Sequence, residues 1–204
     1  MITDIRHDLG DMDIYLVDQL MRGNIASGMT ILDAGCGGGR NLPYFLRRDY
    51  EVFAADADAA AVDRVRDMAD MLAPELPPSN FRVEAVEKMS FIERSADVVI
   101  SSAVLHFARD ETHFRAMLDG SWRMVKPGGM LFCRLASEIG MEGRFQQLDN
   151  RRFRLLDGSE RFLVSEAMLM ADTTRLGGHL VDPIKTTVVQ GMRCMTTWVL
   201  RRRA

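Results

Sequence analysis

The chain has 204 residues, of which 47% are hydrophobic and 27% charged, and its formal net charge at neutral pH is -3. This length and composition predict one globular domain over residues 1–204. The slightly acidic balance disfavours nucleic acid as a partner, because binding to a phosphate backbone calls for a basic surface. No run of 18 apolar residues and no apolar leader is present, so we expect a cytoplasmic protein without membrane contact.

Short apolar runs that alternate with segments of helical periodicity predict an α/β fold. A first helix is predicted within residues 11–24, ahead of apolar runs at residues 30–33, 51–56, 81–84, 97–101 and 130–135. Apolar residues at helical spacing after the first two runs, at 42–46 and 60–72, predict helices that cover a sheet. Because strands alternate with helices, the sheet should be parallel, with helices on both faces.

The last quarter of the chain predicts a different arrangement. Residues 165–176 form a predicted helix that Ser165 caps, and two extended runs follow at residues 184–189 and 192–200. Gln190 and Gly191 stand between these runs, which is typical of a β-hairpin. The hairpin would add an antiparallel strand to an otherwise parallel sheet.

A glycine-dense turn follows the first predicted strand, in the segment ILDAGCGGGRN at residues 31–41. Glycine is needed where the backbone has positive φ or approaches a ligand closely, and a helix opening after the turn would offer free N–H groups to an anion. The spacing lacks the third glycine of the dinucleotide fingerprint, so NAD and FAD are disfavoured, and a P-loop is excluded because no Gly-Lys-Ser/Thr closes the turn. The remaining pattern is D-x-G-x-G-x-G, formed by Asp33, Gly35, Gly37 and Gly39.

This segment resembles motif I of the class I S-adenosylmethionine-dependent methyltransferases. Residues 95–106 are similar to the family's fourth strand and the loop after it, and residues 124–131 to the turn before its fifth strand. The resemblance implies a Rossmann-like sheet of seven mostly parallel strands that ends in the hairpin, with S-adenosylmethionine as cofactor. Among subfamilies, the GRN, SSAVLHF and RCMTTW segments are most similar to tellurite-resistance or thiopurine-type small-molecule enzymes.

The resemblance also implies a cofactor site around the glycine loop and after the second, third and fourth strands. Asp56, 23 positions after Asp33, matches the carboxylate that accepts hydrogen bonds from both ribose hydroxyls. Relatives usually carry an aspartate at the position of Ala85 to contact the adenine amino group, so here adenine would depend on the backbone at Val86 and on apolar packing. The full predicted set is Asp33, Gly35, Cys36, Gly37, Gly39, Arg40, Asn41, Asp56, Ala57, Ala85, Val86 and Ser101.

Two members of this set have alternative interpretations. Arg40 is a candidate partner for the methionine carboxylate, or else an exposed arginine in the first turn of a helix. A helix terminus would lower the pKa of the Cys36 thiol, but we interpret Cys36 as a small apolar residue and not as a nucleophile. The three cysteines, Cys36, Cys133 and Cys194, lack the spacing of a metal site or disulfide framework, so no metal is expected.

Methyl transfer requires few side chains, because positioning the nucleophile against a reactive donor supplies much of the rate. His106, just after the fourth predicted strand, is the candidate general base; alternatively, it is a loop histidine that packs on Phe107 without moving a proton. The arginine-rich stretch 144–161 lies where this family often builds a substrate lid. It suits either an anionic acceptor or a solvated loop.

Residues 101–103, Ser-Ser-Ala, occupy the place where some polymer methyltransferases carry Asn/Asp-Pro-Pro-Tyr/Phe or Pro-Cys. With the acidic balance, this favours a small-molecule acceptor bound by a monomer or homodimer. Two alternatives stay open: a non-catalytic S-adenosylmethionine-binding regulatory protein on the same fold, and a nicotinamide oxidoreductase, which the glycine spacing disfavours.

Overall fold

A computed structural model describes residues 8–204; the first seven residues of the predicted domain lie outside the described residues. The elements of the described part are α1 (Ile14–Met21), β1 (Thr30–Ala34), α2 (Pro43–Leu46), β2 (Glu51–Asp56), α3 (Ala59–Leu72), β3 (Phe81–Val83), β4 (Ala96–Ser102), α4 (Glu111–Met124), β5 (Val125–Ala136), β6 (Gln146–Asp149), β7 (Arg152–Arg154), β8 (Glu160–Phe162), α5 (Glu166–Arg175), β9 (Gly178–Leu180), β10 (Lys185–Val189) and β11 (Arg193–Arg202). Single 3-10 turns lie at Pro78–Asn80, Val86–Lys88 and Leu105–Phe107.

The central sheet has the strand order β10-β11-β5-β4-β1-β2-β3, and the short β9 pairs with the end of β11 as an eighth strand. Pairs β1–β2, β1–β4, β2–β3 and β4–β5 are parallel. Strand β11 is antiparallel to β5, β9 and β10. The predicted Rossmann-like sheet with a C-terminal antiparallel hairpin is therefore confirmed.

Helices cover both faces of this sheet because successive strand residues point to opposite sides. Ile31 and Val98 pack in one apolar core with residues of α1, α2 and α3. Their neighbours Leu32 and Val99 pack in the other core with residues of α4 and α5. The two cores fix β1 and β4 as the buried centre of the molecule.

Side-chain caps and turn residues explain where the peripheral elements begin and end. The Ser165 hydroxyl accepts a hydrogen bond from the Met168 amide, which caps α5 as predicted. Gln190 and Gly191 adopt positive φ between the paired strands β10 and β11, so the predicted hairpin is present. Within residues 8–204, no helix has the length and apolar character needed to cross a membrane.

The arginine-rich stretch forms a separate three-stranded antiparallel sheet in the order β6-β7-β8, rather than a loop. Phe153 of β7 is buried with Leu155 and Cys194 in a third apolar cluster. Arg152 and Arg154 instead pair with Glu160, at 2.8 and 2.9 Å. The small sheet thus has apolar contacts as well as charged ones.

Candidate functional site

A cavity of about 590 Å³ opens at the C-terminal edge of the parallel strands. The loops after β1, β2, β3 and β4 surround it. Strand β1 has β2 on one side and β4 on the other, so the direction of chain progression reverses there. Ligands of open α/β sheets bind at such a switch point, and the volume suits a small organic molecule. We call this space the first cavity.

Glycines of the loop after β1 have distinct roles. Gly35 has φ +83° and lies against Val104, so that a Cβ there would be 2.6 Å from a Val104 methyl carbon. Gly37 has φ +51° and open space where a Cβ would project, and it lines the first cavity. Gly39 does not line the cavity; a Cβ there would be 2.9 Å from Val65 Cγ2, so it allows the loop to pack on α3.

Asp56 ends β2 and faces the first cavity together with Ala57. Its Oδ2 accepts a hydrogen bond from the Gly37 amide at 2.8 Å, and its Oδ1 accepts one from the Asp58 amide at 2.9 Å. Each carboxylate oxygen has a second lone pair, so both can still accept bonds from a ligand. Asp58 caps α3 through a 3.0 Å bond from Ala60, as expected for a helix-capping aspartate.

Asp33 is buried behind the glycine loop and does not line the cavity. Burial raises its pKa to about 7; the nearby Arg40 opposes the shift and Asp56 adds to it. Within the described part of the chain, its Oδ2 has no hydrogen-bond partner. Cys36 does line the cavity, but burial, with the charges of Asp33 and Asp56, raises its pKa. The thiol is therefore protonated at neutral pH, which agrees with its interpretation as a small apolar residue.

The helix predicted after the glycine turn is present but short. Helix α2 has only four residues and begins at Pro43, which has no N–H to offer an anion. Arg40 lies in the preceding turn, where its Nη2 donates to Ser102 Oγ at 2.8 Å and lies 3.3 Å from Asp13 Oδ2. The buried Asn41 accepts a hydrogen bond from the Asp13 amide at 3.0 Å. Arg40 and Asn41 thus close this end of the cavity.

Residues after β3 form the opposite end. Ala85 and Val86 line the cavity as predicted, and Glu87 and His113 also line it. His113 Nε2 lies 3.5 Å from Glu87 Oε1. A Cβ on Gly120 of α4 would be 2.3 Å from the Val86 carbonyl oxygen, so α4 presses directly against this turn. Sequence reasoning missed Glu87, although an acid two residues past the aligned aspartate position was a usable signal.

The end of β4 separates two cavities. Ser101 is buried in the sheet and does not line the first cavity, whereas its neighbour Ser102 does. Ala103 lines both cavities and has φ +65°, a left-handed conformation that non-glycine residues rarely adopt. Its amide donates to the Arg134 carbonyl at 2.7 Å, which holds this backbone in place.

The second cavity, of about 390 Å³, lies beside the first and shares Arg40, Ala103 and Phe107 with it. His106 lines this second cavity and not the first. Its Nδ1 accepts a hydrogen bond from the Ala136 amide at 3.1 Å. Burial, and then the charge of Arg161, lower the pKa of His106 to about 4. At neutral pH the ring is uncharged, and since Nδ1 is an acceptor, the proton is on Nε2.

Comparison with known proteins finds sequence similarity over about half of the chain. A family model described as "Methyltransferase domain" matches residues 32–133. The tRNA 5-carboxymethoxyuridine methyltransferase of Escherichia coli K12 is 27% identical over 103 residues, 50% of this chain and 38% of that protein. The ubiquinone biosynthesis O-methyltransferase of Brucella ovis is 29% identical over 105 residues, 52% of this chain and 40% of that protein. These matches span less than half the length of either relative.

The fold is also that of a solved enzyme structure. The Burkholderia thailandensis 1,6-didemethyltoxoflavin-N1-methyltransferase, solved with 1,6-didemethyltoxoflavin and S-adenosylhomocysteine, superposes with a TM-score of 0.71 at 16% identity. The alignment covers 98% of this chain and 82% of that one. At this identity, the likeness establishes the shared fold.

Proposed function

The chain belongs to the family of methyltransferase domains, and from that premise we propose that it transfers the methyl group of S-adenosylmethionine to a small-molecule acceptor. One observation carries the proposal: a single cavity at the switch point brings together the glycine loop and the Asp56 carboxylate. These are the two features that the sequence motif requires for this cofactor.

The residues of the first cavity fit this cofactor group by group. Open space at Gly37 leaves room for a ligand against the loop backbone, and the Asp56 oxygens have lone pairs free for two hydroxyls. Arg40 offers a positive charge for a carboxylate, and Glu87 can accept the N–H of an adenine amino group in place of the missing aspartate at Ala85. When bound, S-adenosylmethionine supplies an electrophilic methyl group on its sulfonium sulfur.

His106 has a different proposed role from the general base expected from the sequence. A base must have an unprotonated atom facing the acceptor, but Nδ1 is already bonded to the Ala136 amide and Nε2 carries the proton. Within the described residues, Nε2 forms no hydrogen bond, and the ring lines the second cavity. The Nε2–H of His106 is therefore free to donate a hydrogen bond that orients a bound acceptor, and the reaction would depend chiefly on positioning.

A small acceptor is favoured over a nucleic acid on size and charge. The second cavity has the volume of a small organic molecule, and the whole chain carries a net charge of -3. The tRNA-modifying relative is similar over 103 residues, 50% of this chain and 38% of that protein, so its acceptor is not carried over to this chain.

The alternative is a regulatory protein that binds S-adenosylmethionine without turnover. The occupied lone pair of His106 favours it, because no other histidine lines the second cavity in the described part of the chain. Calorimetric titration with S-adenosylmethionine, S-adenosylhomocysteine and NAD tests both functions. We expect both sulfur ligands to bind with a Kd of roughly micromolar order and NAD not to bind. Absence of binding would refute both functions.

Turnover then separates the two functions. Purified protein is incubated with methyl-labelled S-adenosylmethionine and a panel of small carboxylates, phenols and thiols, and label transfer is measured. Transfer to any acceptor, at a rate that Asp56→Ala lowers, supports the enzyme. Tight cofactor binding without transfer to any member of the panel would favour the regulatory protein.

A further inference from the structure

The second cavity is electropositive although the whole chain is acidic. It is lined by four arginines and two aspartates, namely Arg40, Arg134, Arg161, Arg193, Asp13 and Asp157. His106 adds no charge because it is neutral at physiological pH. The cavity therefore has an excess of positive charge, which favours an anionic occupant.

Three of the four arginines already face a carboxylate of the cavity. The fully buried carboxylate of Asp13 lies 2.8 Å from Arg134 Nη1 and 3.3 Å from Arg40 Nη2. Arg193 Nη1 lies 3.9 Å from Asp157 Oδ2. These three arginines therefore share the charges of the two aspartates.

Arg161 is different. Among residues 8–204, no carboxylate oxygen lies within 4.0 Å of its guanidinium, which stacks on the Phe107 ring at 4.8 Å. Its Nη1 donates to the Glu160 carbonyl at 2.7 Å, and the remaining N–H groups of the fork are available to a ligand. The guanidinium is thus held in position by neutral groups, and Asp157 attracts it only from beyond ion-pair distance.

The register of the small sheet explains why Arg161 faces inward. Arg161 pairs with the buried Phe153, whereas Arg154 pairs with Glu160 on the opposite face. Cross-strand partners share a face of a sheet, so Arg161 lies on the side of the apolar cluster and Arg154 on the other. Arg154 is therefore a natural control for Arg161, with the same charge on the same sheet but outside the cavity.

We propose that the second cavity is the acceptor site and that it takes a small molecule bearing one carboxylate group, which the Arg161 guanidinium binds. The identification of this ligand as the acceptor rests on the proposed function. A planar guanidinium matches the two oxygens of a carboxylate, and Arg161 is the arginine of this cavity that has no carboxylate within 4.0 Å among residues 8–204. Phe107, Leu155 and Met195 provide an apolar wall for the body of the molecule, and His106 Nε2–H provides one further donor.

Benzoate and its neutral counterpart benzamide are suitable probes, titrated into the full chain at saturating S-adenosylhomocysteine. Binding is followed through the arginine Nε–Hε signals in NMR spectra. We expect benzoate to bind with a Kd of about 1–10 mM, typical of a ligand of this size. Benzamide should bind at least about tenfold more weakly because it lacks the charge. The shifted arginine signal should be the one that Arg161→Ala removes.

Variants decide whether Arg161 carries the binding. Arg161→Ala should weaken benzoate about tenfold or more, whereas Arg154→Ala should leave it within about twofold. Arg161→Gln, which keeps most of the side-chain volume, should behave like the alanine variant if the charge matters. Equal affinity for benzoate and benzamide, or unchanged benzoate affinity in both Arg161 variants, would overturn the proposal.

Failure of the proposed function gives a different result. Arg161 does not line the first cavity, so its variants should bind S-adenosylhomocysteine as the wild type does. If the wild type fails to bind S-adenosylhomocysteine, the proposed function fails, while a benzoate titration without it still tests Arg161. Displacement of S-adenosylhomocysteine by benzoate would place benzoate in the first cavity and refute the acceptor site.

Discussion

Replacement of Asp56 by alanine should weaken cofactor binding severely while leaving the fold intact. In the proposed cofactor site, each Asp56 carboxylate oxygen would accept a hydrogen bond from one ribose hydroxyl, and Oδ2 also accepts one from the Gly37 amide at 2.8 Å. A hydrogen bond to a charged group contributes about 1.5–3 kcal/mol, so the loss of two should cost about 3–6 kcal/mol. This corresponds to an increase in Kd of roughly 10²- to 10⁴-fold.

Calorimetric titration with S-adenosylhomocysteine measures this loss, alongside two comparison variants. Asp56→Asn retains a carbonyl oxygen for one of the two hydroxyls, so its Kd should rise only about 10- to 100-fold. Asp58→Ala removes the cap of α3, which should cost about 1 kcal/mol of folding stability but leave affinity unchanged. An Asp56→Ala variant that folds and binds within about threefold of wild type would refute the ribose assignment.

Three further predictions test other parts of the site. The pKa of His106 is about 4 in the folded protein and 6.5 in the unfolded chain, so between these pH values the unfolded chain binds one more proton. The free energy of unfolding should therefore fall by up to about 3 kcal/mol as the pH falls from 6.5 to 4. In denaturant unfolding, His106→Gln should lack this pH dependence, and an equal pH dependence in both proteins would contradict a neutral buried histidine. Glu87→Gln should weaken the binding of S-adenosylhomocysteine about tenfold but leave the binding of S-inosylhomocysteine, which lacks the amino group, unchanged. Equal losses of affinity for the two ligands would refute the proposed contact between Glu87 and the adenine amino group. Gly120→Ala forces a Cβ to within 2.3 Å of the Val86 carbonyl, so the free energy of unfolding should fall by about 1–3 kcal/mol, and wild-type stability would mean that α4 is free to move away.

Features of the first cavity were predictable where the signal is local in the chain. The glycine loop follows β1 directly, and Asp56 is the last residue of a strand with a clear apolar pattern. Both therefore place a ligand at one sheet edge without knowledge of the rest of the fold. The apolar spacing at residues 42–46 also predicted the helix after the loop but not its short length, since α2 begins at Pro43 and ends after one turn.

The second cavity could not be predicted because its residues come from distant parts of the chain. Asp13 caps α1, Arg134 is in β5 and Arg161 is in β8, and no spacing rule relates them. Strands β6, β7 and β8 have only three or four residues each, too few to show an alternating pattern among so many charges. His106 was placed correctly beyond β4, but only the 3-10 turn at Leu105–Phe107 determines which cavity its ring enters.

The backbone at Ala103 links the two cavities physically. A left-handed conformation costs a non-glycine residue about 1–2 kcal/mol, so it persists only where the surroundings impose it. Here the Ala103 amide donates a hydrogen bond to the Arg134 carbonyl, which stabilises this conformation, and the Arg134 side chain is paired with the buried Asp13. Asp13 and Arg134, which belong to the charged wall of the second cavity, therefore also hold the Ala103 backbone between the two cavities. Because Ala103 lines both cavities and its side chain is only a methyl group, ligands in the two cavities could approach closely, as in-line methyl transfer requires.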